Sequence, residues 1–472
     1  MQNLKGSPHT YKGEVCDFTA QNTVKNNARQ QRVLKLNKKR NKHLQSGAIN
    51  PTFPNMENTT QTHILSFTVN SLKQKLKDIG MPSFRAGQIL GWIYDKGIIN
   101  PSEMKNISQK DAEKLKQHIN FEPLTMVTEQ LAKDGTVKWL FKLHDGHDIE
   151  TVFIPEPNRG TLCVSSQVGC TLNCRFCHTG TQGLARNLTA DEIVGQVWMA
   201  AKRLGQWSDQ PFNLKLHVEK SGFDDQWMLD MLANQKEKGE GVERARIISN
   251  IVFMGMGEPL FNWPNVEKAN DTLMHDSTFG YGSRKITIST SGMVDNIGNI
   301  ASSLGVNLAI SIHAPDNETR TKIMPINKKW DIDELMAALR AFPLKERRRI
   351  TWEYVMLKDV NDSVKHAKML LKLIEGIPSF VNIIPFNEWP GSPFKRSDST
   401  TIETFKNTIA KAGIDVNVRR SRGSDILAAC GQLRGETSKF NSISTEFPTV
   451  VMQYGTDSQK QKISVQFTGD VA

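Results

Sequence analysis

The sequence predicts an α/β fold in which a partial (β/α)6 barrel follows a small N-terminal helical module. Apolar residues recur at helical spacing between residues 67 and 120, for example at Leu72, Leu76 and Ile79. After Gly160, short apolar runs typical of strands alternate with helical patterns. These runs cover residues 161–165, 251–254, 286–289, 308–312, 351–357 and 381–385. Six βα units form only part of a barrel, and such domains carry their chemistry at the carboxyl ends of the strands.

Other local sequence patterns predict individual strands, a helix and an insertion next to this barrel. Residues 138–143 and 150–154 have strand patterns that lead into it. Thr189, followed three residues later by Glu192, forms a capping box and predicts that a helix begins there. Residues 205–246 are polar and delay the second barrel strand, so we expect a surface insertion.

Composition divides the chain into four parts. Residues 1–61 are rich in Asn, Gln and Lys and are predicted to form a disordered basic arm. Residues 62–148 are predicted to form an accessory domain and residues 149–437 the main domain, followed by a polar C-terminal tail at 438–472. The family resemblance given below implies that the accessory domain is RNA-binding-like and that the main domain is catalytic.

Size and charge limit the classes of function. The chain has 472 residues, of which 38% are hydrophobic, and this is enough for one large domain with appendages. The formal net charge of +11 favours polyanionic partners, of which nucleic acid is the commonest. We find no apolar run long enough to cross a bilayer and no secretory signal at Met1, so the sequence predicts a cytoplasmic protein without a membrane partner.

Three of the six cysteines are crowded into eight residues, at Cys170, Cys174 and Cys177. In a reducing compartment such crowding indicates metal binding or redox chemistry rather than disulfide bonds. With CxxxCxxC spacing, three thiolates can bind three irons of one cubane cluster and leave the fourth iron open for a ligand. Phe176, just before the last cysteine, is placed to pack beside such a ligand.

Two other interpretations of this segment are disfavoured. Residues 174–178 also spell CxxCH, the attachment pattern of c-type haem, but that chemistry requires export and no signal peptide is present. A zinc site that includes His178 would normally need four ligands from two separated pairs, and only one cluster of cysteines occurs before the distant Cys430.

The CxxxCxxC segment with Phe176 resembles the radical SAM superfamily. The segment 255–259, Gly-Met-Gly-Glu-Pro, resembles the superfamily's GGEP-type segment, and its glycines and carboxylate suit an ammonium group. From about residue 67 to 437 the chain resembles the RlmN-type dual-specificity rRNA and tRNA adenine C2-methyltransferases. The stretches that carry this resemblance are 162–170, 255–259, 289–292, 311–315, 325–328 and 429–433.

The resemblance implies a radical-SAM barrel and a set of site residues. One [4Fe-4S] cluster is expected on Cys170, Cys174 and Cys177. Cys430 corresponds to the cysteine that carries the methyl group as S-methylcysteine, Cys163 to the resolving cysteine and Glu150 to the proton acceptor. The positions expected to contact S-adenosylmethionine are Gly257, Glu258, Ser289, Ser311, Ile312, His313 and Asn387.

The chemistry explains the need for two isolated cysteines. Carbon 2 of adenine is electron-poor and cannot attack a sulfonium methyl group, so a radical route is needed. The resemblance implies that one S-adenosylmethionine methylates Cys430 and that a second is cleaved to a 5′-deoxyadenosyl radical, which removes hydrogen from that methyl group. Addition to carbon 2 gives an RNA-protein adduct, and a disulfide between Cys163 and Cys430 releases the product. Two S-adenosylmethionine molecules are therefore used per turnover, and an external reductant must restore the thiols.

The expected partners are large-subunit rRNA at the peptidyl transferase centre, tRNA at the adenine next to the anticodon, and an electron donor such as flavodoxin, for a monomeric enzyme. Arginines at 347–349, 419, 420 and 422 are expected to meet RNA phosphates. One alternative is a Cfr-like enzyme that methylates carbon 8 of adenine. Another is a noncatalytic RNA-binding protein with an iron-sulfur cluster, which would have no use for both Cys163 and Cys430.

Overall fold

The computed structural model describes residues 61–156, 159–207 and 246–435, together with two short strands near the C-terminus. The predicted basic arm before Gln61 and most of the predicted insertion lie outside the described residues. Of the predicted C-terminal tail, only Val450–Val451 and Gln466–Phe467 are described, and they pair antiparallel.

Three short helices form the predicted N-terminal module, and each has apolar residues on one buried face. They are α1 (Val69–Asp78), α2 (Arg85–Lys96) and α3 (Gln109–His118). Thr68 and Ser108 accept hydrogen bonds from backbone N–H groups of the first turns of α1 and α3, so both helices begin at capping side chains. The Trp198 Nε1–H donates to the Ile93 carbonyl at 3.1 Å, which ties the module to the barrel.

Three antiparallel strands lead into the barrel: β1 (Thr125–Leu131), β2 (Val137–Lys142) and β3 (Asp148–Glu156). The strands β2 and β3 confirm the predictions at 138–143 and 150–154. The strand β1 was not predicted, because its seven residues are all exposed or half-buried and lack a buried apolar alternation.

Seven parallel strands form the barrel, one more than the six that were predicted. After β4 comes a short antiparallel hairpin of β5 and β6. The bounds are β4 (Arg159–Cys163), β5 (Gln167–Gly169), β6 (Leu184–Asn187), β7 (Asn250–Phe253), β8 (Ile286–Thr290), β9 (Asn307–Ser311), β10 (Ile350–Met356), β11 (Ser379–Pro385) and β12 (Asp415–Val418). The additional strand, β12, is short and polar and lies at the edge of the sheet.

Helices follow most of these strands. They are α4 (Ala190–Arg203), α5 (Trp263–Met274), α6 (Val294–Asn299), α7 (Asn317–Ile323), α8 (Ile332–Arg340), α9 (Val364–Ile374) and α10 (Ser399–Lys411), and α6 continues as a π-helical segment, Ile300–Leu304. The capping box of Thr189 and Glu192 at the start of α4 is confirmed. Within the described residues, no helix is both long and apolar enough to cross a membrane.

The ten strands are hydrogen-bonded in one linear order, β1-β2-β3-β4-β7-β8-β9-β10-β11-β12, so the described strands do not close the barrel by pairing. A continuous apolar core extends from Ile64 in the helical module to Leu433 after the last strand. The carboxyl ends of the parallel strands all lie at one end of the sheet, and the site is built there.

Candidate active site

Cys170, Cys174 and Cys177 lie in a loop between β5 and β6 and line one cavity of about 150 Å³, which we call the cluster cavity. The sequence predicted that this loop directly follows the first barrel strand, but the hairpin strand β5 intervenes. The Cys170 N–H donates to the Gly183 carbonyl at 2.7 Å. At Gly169, φ is +78°, and a Cβ atom there would approach the Gly183 oxygen to 1.9 Å, so only glycine allows this turn.

The three thiols are held where their uncharged form is favoured. Burial raises the pKa of Cys170 to about 12 and raises the pKa values of Cys174 and Cys177, and repulsion between neighbouring thiolates adds to these shifts. A bound cation reverses this preference, because thiolates are the form that binds metal. Among the described residues, no three acidic, His or Cys side chains converge on a single metal ion. A cubane cluster has a different requirement, since each thiolate binds its own iron.

The opposite wall of the cluster cavity is a backbone turn, Gly255 to Pro259, after β7. At Gly257, φ is +99°, and a Cβ atom would lie 2.5 Å from the Gln167 Cβ; a Cβ atom on Gly255 would lie 2.7 Å from the Val164 oxygen. Both glycines therefore let this turn pack against the segment 164–167 more closely than any side chain would permit. The turn packed in this way, which we call the backbone cradle, lines the same cavity as the three thiols, and this lining fits a cluster with a small polar ligand.

Glu258 is buried at the end of this turn and organises the neighbouring backbone. Its Oε1 accepts a hydrogen bond from the Leu260 N–H at 3.1 Å, and its Oε2 accepts one from the Ser291 N–H at 2.8 Å. Burial raises the pKa of Glu258, and these hydrogen bonds act in the opposite direction. The carboxylate thus joins the ends of β7 and β8 and also lines the cluster cavity.

His313 follows β9 and is held as a neutral imidazole. Its Nδ1 accepts a hydrogen bond from the Val355 N–H at 3.0 Å, which places the ring proton on Nε2. Burial lowers the pKa of His313 to about 3. The backbone has φ of +52°, and Asn361 Nδ2 donates to the His313 carbonyl at 2.6 Å, so a buried amide stabilises this unfavourable conformation. The ring packs edge-on against Phe176.

Arg320 on α7 was not singled out in the sequence, although it supports this end of the barrel. Its side chain is fully buried and donates to the Asn327 Oδ1 at 2.7 Å, the Ser291 carbonyl at 2.5 Å and the Ile312 carbonyl at 3.2 Å. Burial lowers its pKa to about 10, and the nearby Cys174 partly offsets this effect. Arg320 therefore joins the ends of β8 and β9 beneath the cluster loop.

The segment that carries Cys430 is fastened to the cluster loop by several hydrogen bonds. The His178 N–H donates to the Gly431 carbonyl at 2.7 Å, and the Thr179 hydroxyl donates to the Leu433 carbonyl at 2.7 Å. Gln182 Nε2 donates to the Gly435 carbonyl at 2.8 Å. These bonds place Cys430 beside the cluster cavity, which it lines.

His178 and Trp389 form a further contact that was not predicted, between the cluster loop and the segment after β11. Their rings stack with centroids 4.7 Å apart, and the Trp389 Nε1–H donates to the Phe176 carbonyl at 3.0 Å. His178 Nε2 lies 3.1 Å from the Arg434 Nη1. His178 is thus a packing residue between two chain segments.

A larger cavity of about 520 Å³, the barrel cavity, lies inside the partial barrel and adjoins the cluster cavity. Cys163 and Cys430 both line it, and all five described cysteines are free thiols. Asn387 lines it as well, and its Nδ2 donates to the Cys430 carbonyl at 3.2 Å. Cys430 therefore has access to both cavities.

Glu150 on β3 is buried beside the Cys430 segment and does not line either cavity. Its Oε1 lies 2.9 Å from the Lys138 Nζ, and its Oε2 accepts a hydrogen bond from the Arg434 N–H at 2.6 Å. One carboxylate oxygen therefore interacts with a positively charged ammonium group and the other with a backbone N–H.

The structure brings most of the predicted site residues together. Around the cluster cavity lie Cys170, Cys174, Cys177, Gly257, Glu258, Ser289, Ser311, His313 and Cys430. Cys163 and Asn387 line the adjoining barrel cavity, whereas Ile312 is fully buried and lines neither.

The basic residues separate into two groups. Arg348 and Arg349 directly precede β10 and lie at the amino ends of the strands, away from the cluster loop, where they bind Asn307 and Asp415. Arg420 and Arg422 follow β12 and line the barrel cavity. Sequence reasoning treated these groups alike because order along the chain does not show which end of the barrel a residue occupies.

Comparison with known proteins gives consistent matches. A family model described as the ribosomal RNA large subunit methyltransferase N-terminal domain matches residues 62–121. The dual-specificity RNA methyltransferase RlmN of Paracoccus denitrificans is 44% identical over 386 residues, which are 81% of this chain and 92% of that protein. The RlmN protein of Rhodopseudomonas palustris is 46% identical over 382 residues, which are 79% of this chain and 89% of that protein.

A solved structure shows a similar fold. The crystal structure of a radical SAM methyltransferase from Sphaerobacter thermophilus matches with a TM-score of 0.68 and 37% sequence identity. The match covers 79% of this chain and 99% of that chain. Similarity in sequence and in structure therefore extends over most of the chain.

Proposed function

The chain belongs to the RlmN family of dual-specificity RNA methyltransferases, and we propose that its site methylates carbon 2 of adenine in rRNA and tRNA through Cys430. It is a radical SAM methyltransferase and uses S-adenosylmethionine with an iron-sulfur cluster. The observation that carries the proposed route is the position of Cys430, which lines both the cluster cavity and the barrel cavity.

The cluster cavity is the proposed cofactor site. Cys170, Cys174 and Cys177 would hold one [4Fe-4S] cluster, and the glycine turn at Gly255 and Gly257 would approach the ligand through its backbone. The chemistry supplied there by the bound cofactors is a carbon radical that can remove hydrogen from a methyl group. Neutral His313, Glu258 and the two serines, Ser289 and Ser311, are proposed to bind S-adenosylmethionine. Ile312 is proposed to act through its backbone and Asn387 from the neighbouring cavity.

Cys430 and Cys163 have separate proposed tasks. The Cys430 thiolate accepts a methyl group from S-adenosylmethionine, which leaves as its demethylated product. After loss of a hydrogen atom from that methyl group, its carbon bonds to adenine carbon 2. Carbon 2 then loses its own hydrogen as a proton, and the remaining unpaired electron would pass to the bound iron-sulfur cluster. The Cys163 thiolate then forms a disulfide bond with the Cys430 sulfur, and the bond from that sulfur to the carbon breaks. The electron pair of the broken bond stays with the carbon, which takes up a proton and becomes the product methyl group. The two sulfurs are oxidised, and an external reductant must return them to thiols.

Glu150 is the proposed proton acceptor for carbon 2. It is buried on β3, and the hydrogen bond from the Arg434 N–H links it to the segment that carries Cys430, the residue proposed to hold the RNA adduct. Glu150 lines neither cavity, so we propose that it acts on carbon 2 from beside the Cys430 segment.

The remaining assignments concern partners and context. We propose that the accessory domain at 62–148 and the barrel-cavity arginines, Arg420 and Arg422, contact the RNA. We propose that a flavodoxin-like protein supplies the electrons. The enzyme is proposed to act as a monomer and in the cytoplasm. We also propose that the catalytic domain spans residues 149–437, between the accessory domain and the C-terminal tail.

Mass spectrometry of nucleosides tests the function. We expect 2-methyladenosine in both rRNA and tRNA to disappear when the gene is deleted, to return with the wild-type protein and to stay absent with Cys430→Ala. Appearance of 8-methyladenosine in its place would identify the Cfr-like alternative. Unchanged nucleosides in both RNA classes would contradict the proposal.

A further inference from the structure

Glu353 on β10 is a buried carboxylate that has no part in the proposed mechanism. Its side chain lines both the barrel cavity and the cluster cavity, and the residue is 3% exposed. The interior of such a barrel is usually filled by branched apolar side chains. A polar group buried there costs stability unless it is hydrogen-bonded, so a carboxylate at this place needs a partner for each oxygen.

One oxygen of this carboxylate has such a partner and the other does not. Asn382 Nδ2 on β11 donates to the Glu353 Oε1 at 3.0 Å. Within the described residues, the Glu353 Oε2 is buried and has no hydrogen-bond partner. The Arg419 Nη1 lies 3.6 Å from Oε2, which balances its charge but is too long for a hydrogen bond. Oε2 is therefore an acceptor that is held in place by Asn382 and still requires a donor.

The neighbouring strands extend a row of polar side chains from Glu353 into the barrel cavity. In register, Glu353 pairs with Asn382 on β11, and Asn382 pairs with Asn417 on β12. Both asparagines line the barrel cavity and not the cluster cavity. On its other side Glu353 pairs in register with Ser311, which belongs to the proposed cofactor site. The barrel cavity of about 520 Å³ has the size of a site for a nucleotide, and Glu353 lies where this site meets the cofactor site.

We propose that Glu353 is a specificity-determining residue whose Oε2 accepts a hydrogen bond from the amino group of the target adenine; this inference rests on the proposed function. Adenine carries an amino donor at carbon 6, where guanine carries an oxygen acceptor. An ionised carboxylate has only acceptors, so it binds the amino group and repels the oxygen. A site built to bond one group discriminates strongly against a ligand without it, because the buried group of the protein is then left unpaired.

The test measures RNA binding by the cluster-loaded protein and does not depend on turnover. Three tRNA anticodon stem-loops are compared, in which the target nucleotide is adenosine, purine riboside or inosine. Purine riboside lacks the amino group and inosine carries an oxygen in its place, while both keep the hydrogen on carbon 2. We expect the wild-type protein to bind the adenosine RNA roughly tenfold more tightly than the purine RNA, and the inosine RNA more weakly still.

Glu353→Gln changes the hydrogen bonding at one defined position. Because Asn382 donates to Oε1, the amide nitrogen takes the place of Oε2 and presents N–H groups. The preference for adenosine RNA over inosine RNA should then fall by about tenfold. Each preference is a ratio measured with one protein, so a smaller folded fraction does not change it. Glu156→Gln is the matched control, since Glu156 lines the same cavity but is paired with Arg159, and it should keep the wild-type preferences.

Two results would overturn the inference. One is equal binding of the three RNAs by the wild-type protein, a comparison for which no variant has to fold. The other is a Glu353→Gln protein with wild-type preferences; if calorimetric titration without RNA showed that it had lost S-adenosylmethionine binding, the carboxylate would belong to the cofactor site. The fate of the proposed function is read separately. If the wild-type protein shows the expected preferences but forms no methylated RNA, the proposed function fails and the contact with the amino group stands.

Discussion

The cluster cavity and the barrel cavity share five lining residues, including Cys430 and Arg419, yet they are built by different means. The smaller one is shaped by glycine turns, buried thiols and side chains that hydrogen-bond the backbone, such as Glu258 and Arg320. The larger one is lined by four asparagines and four arginines. Fixed backbone suits a cofactor of constant shape, whereas amides and cations suit a nucleotide and its phosphates.

The largest effect is expected from removing the one cysteine that lines both cavities, among the described residues. Cys430→Ala should give no methylated protein, no methylated RNA and no adduct. Cys163 lines only the barrel cavity, so Cys163→Ala should still methylate Cys430 and should accumulate RNA crosslinked through it. Denaturing gels with and without RNase would show the difference. An adduct in Cys430→Ala would mean that the two roles have been assigned wrongly.

A second variant removes the buried support of the cluster cavity. Arg320→Met should lower the free energy of unfolding by about 4 kcal/mol, because buried acceptors on Asn327, Ser291 and Ile312 lose their donors. The matched control on the same helix is Lys322→Met, which breaks only an exposed ion pair with Glu318 and should cost below about 0.5 kcal/mol. Denaturant unfolding measures both, and equal losses would show that Arg320 is not a structural support.

A third variant changes the backbone conformation of the turn at residues 255–259, the backbone cradle. Gly257→Ala should lower the free energy of unfolding by about 3 kcal/mol, because its φ of +99° and the contact at 2.5 Å with Gln167 exclude a Cβ atom. The turn must then shift away from Gln167, and because the turn lines the cluster cavity, S-adenosylmethionine binding should be lost. Gly282→Ala is the control, since a Cβ atom there meets nothing within 4 Å. Calorimetric titration and thermal unfolding would compare the two. Normal binding by Gly257→Ala would remove the backbone cradle from the proposed cofactor site.

The smallest effect is expected from removing one of the hydrogen bonds that join the Cys430 segment to the cluster loop. Thr179→Val removes the hydrogen bond to the Leu433 carbonyl and should cost about 1 kcal/mol of stability. We expect Cys430 methylation to slow severalfold while the barrel stays folded. Thr181→Val, which loses a bond only to the His178 carbonyl within its own turn, is the comparison. If both variants methylate Cys430 at the same rate, the fastening does not position the thiol.

The barrel could be predicted because its central strands are buried on both faces and form apolar runs. The edge strands could not, since β1 and β12 are half-exposed and their residues follow no strong pattern. The site residues that lie in short motifs could be predicted, because the spacing of the cysteines and the glycines of the 255–259 segment identify those motifs in the sequence. Arg320 and Glu353 were missed, because a charged residue in a short helix or an apolar strand shows its burial only after the chain has folded.

Because Cys430 lines both cavities, the rate at which its sulfur can move between them depends on how its backbone is held. Its backbone is fixed by bonds from Asn387 and by the neighbouring Gly431 carbonyl, which accepts from His178. A sulfur on a fixed Cα atom changes its surroundings by rotation about the Cα–Cβ bond among staggered rotamers. Such rotations take place within nanoseconds, whereas movements of a whole loop need microseconds or longer. If Cys430 carries the methyl group as proposed, the carbon can pass from the cluster cavity to the barrel cavity by rotation of this one side chain, without movement of the backbone.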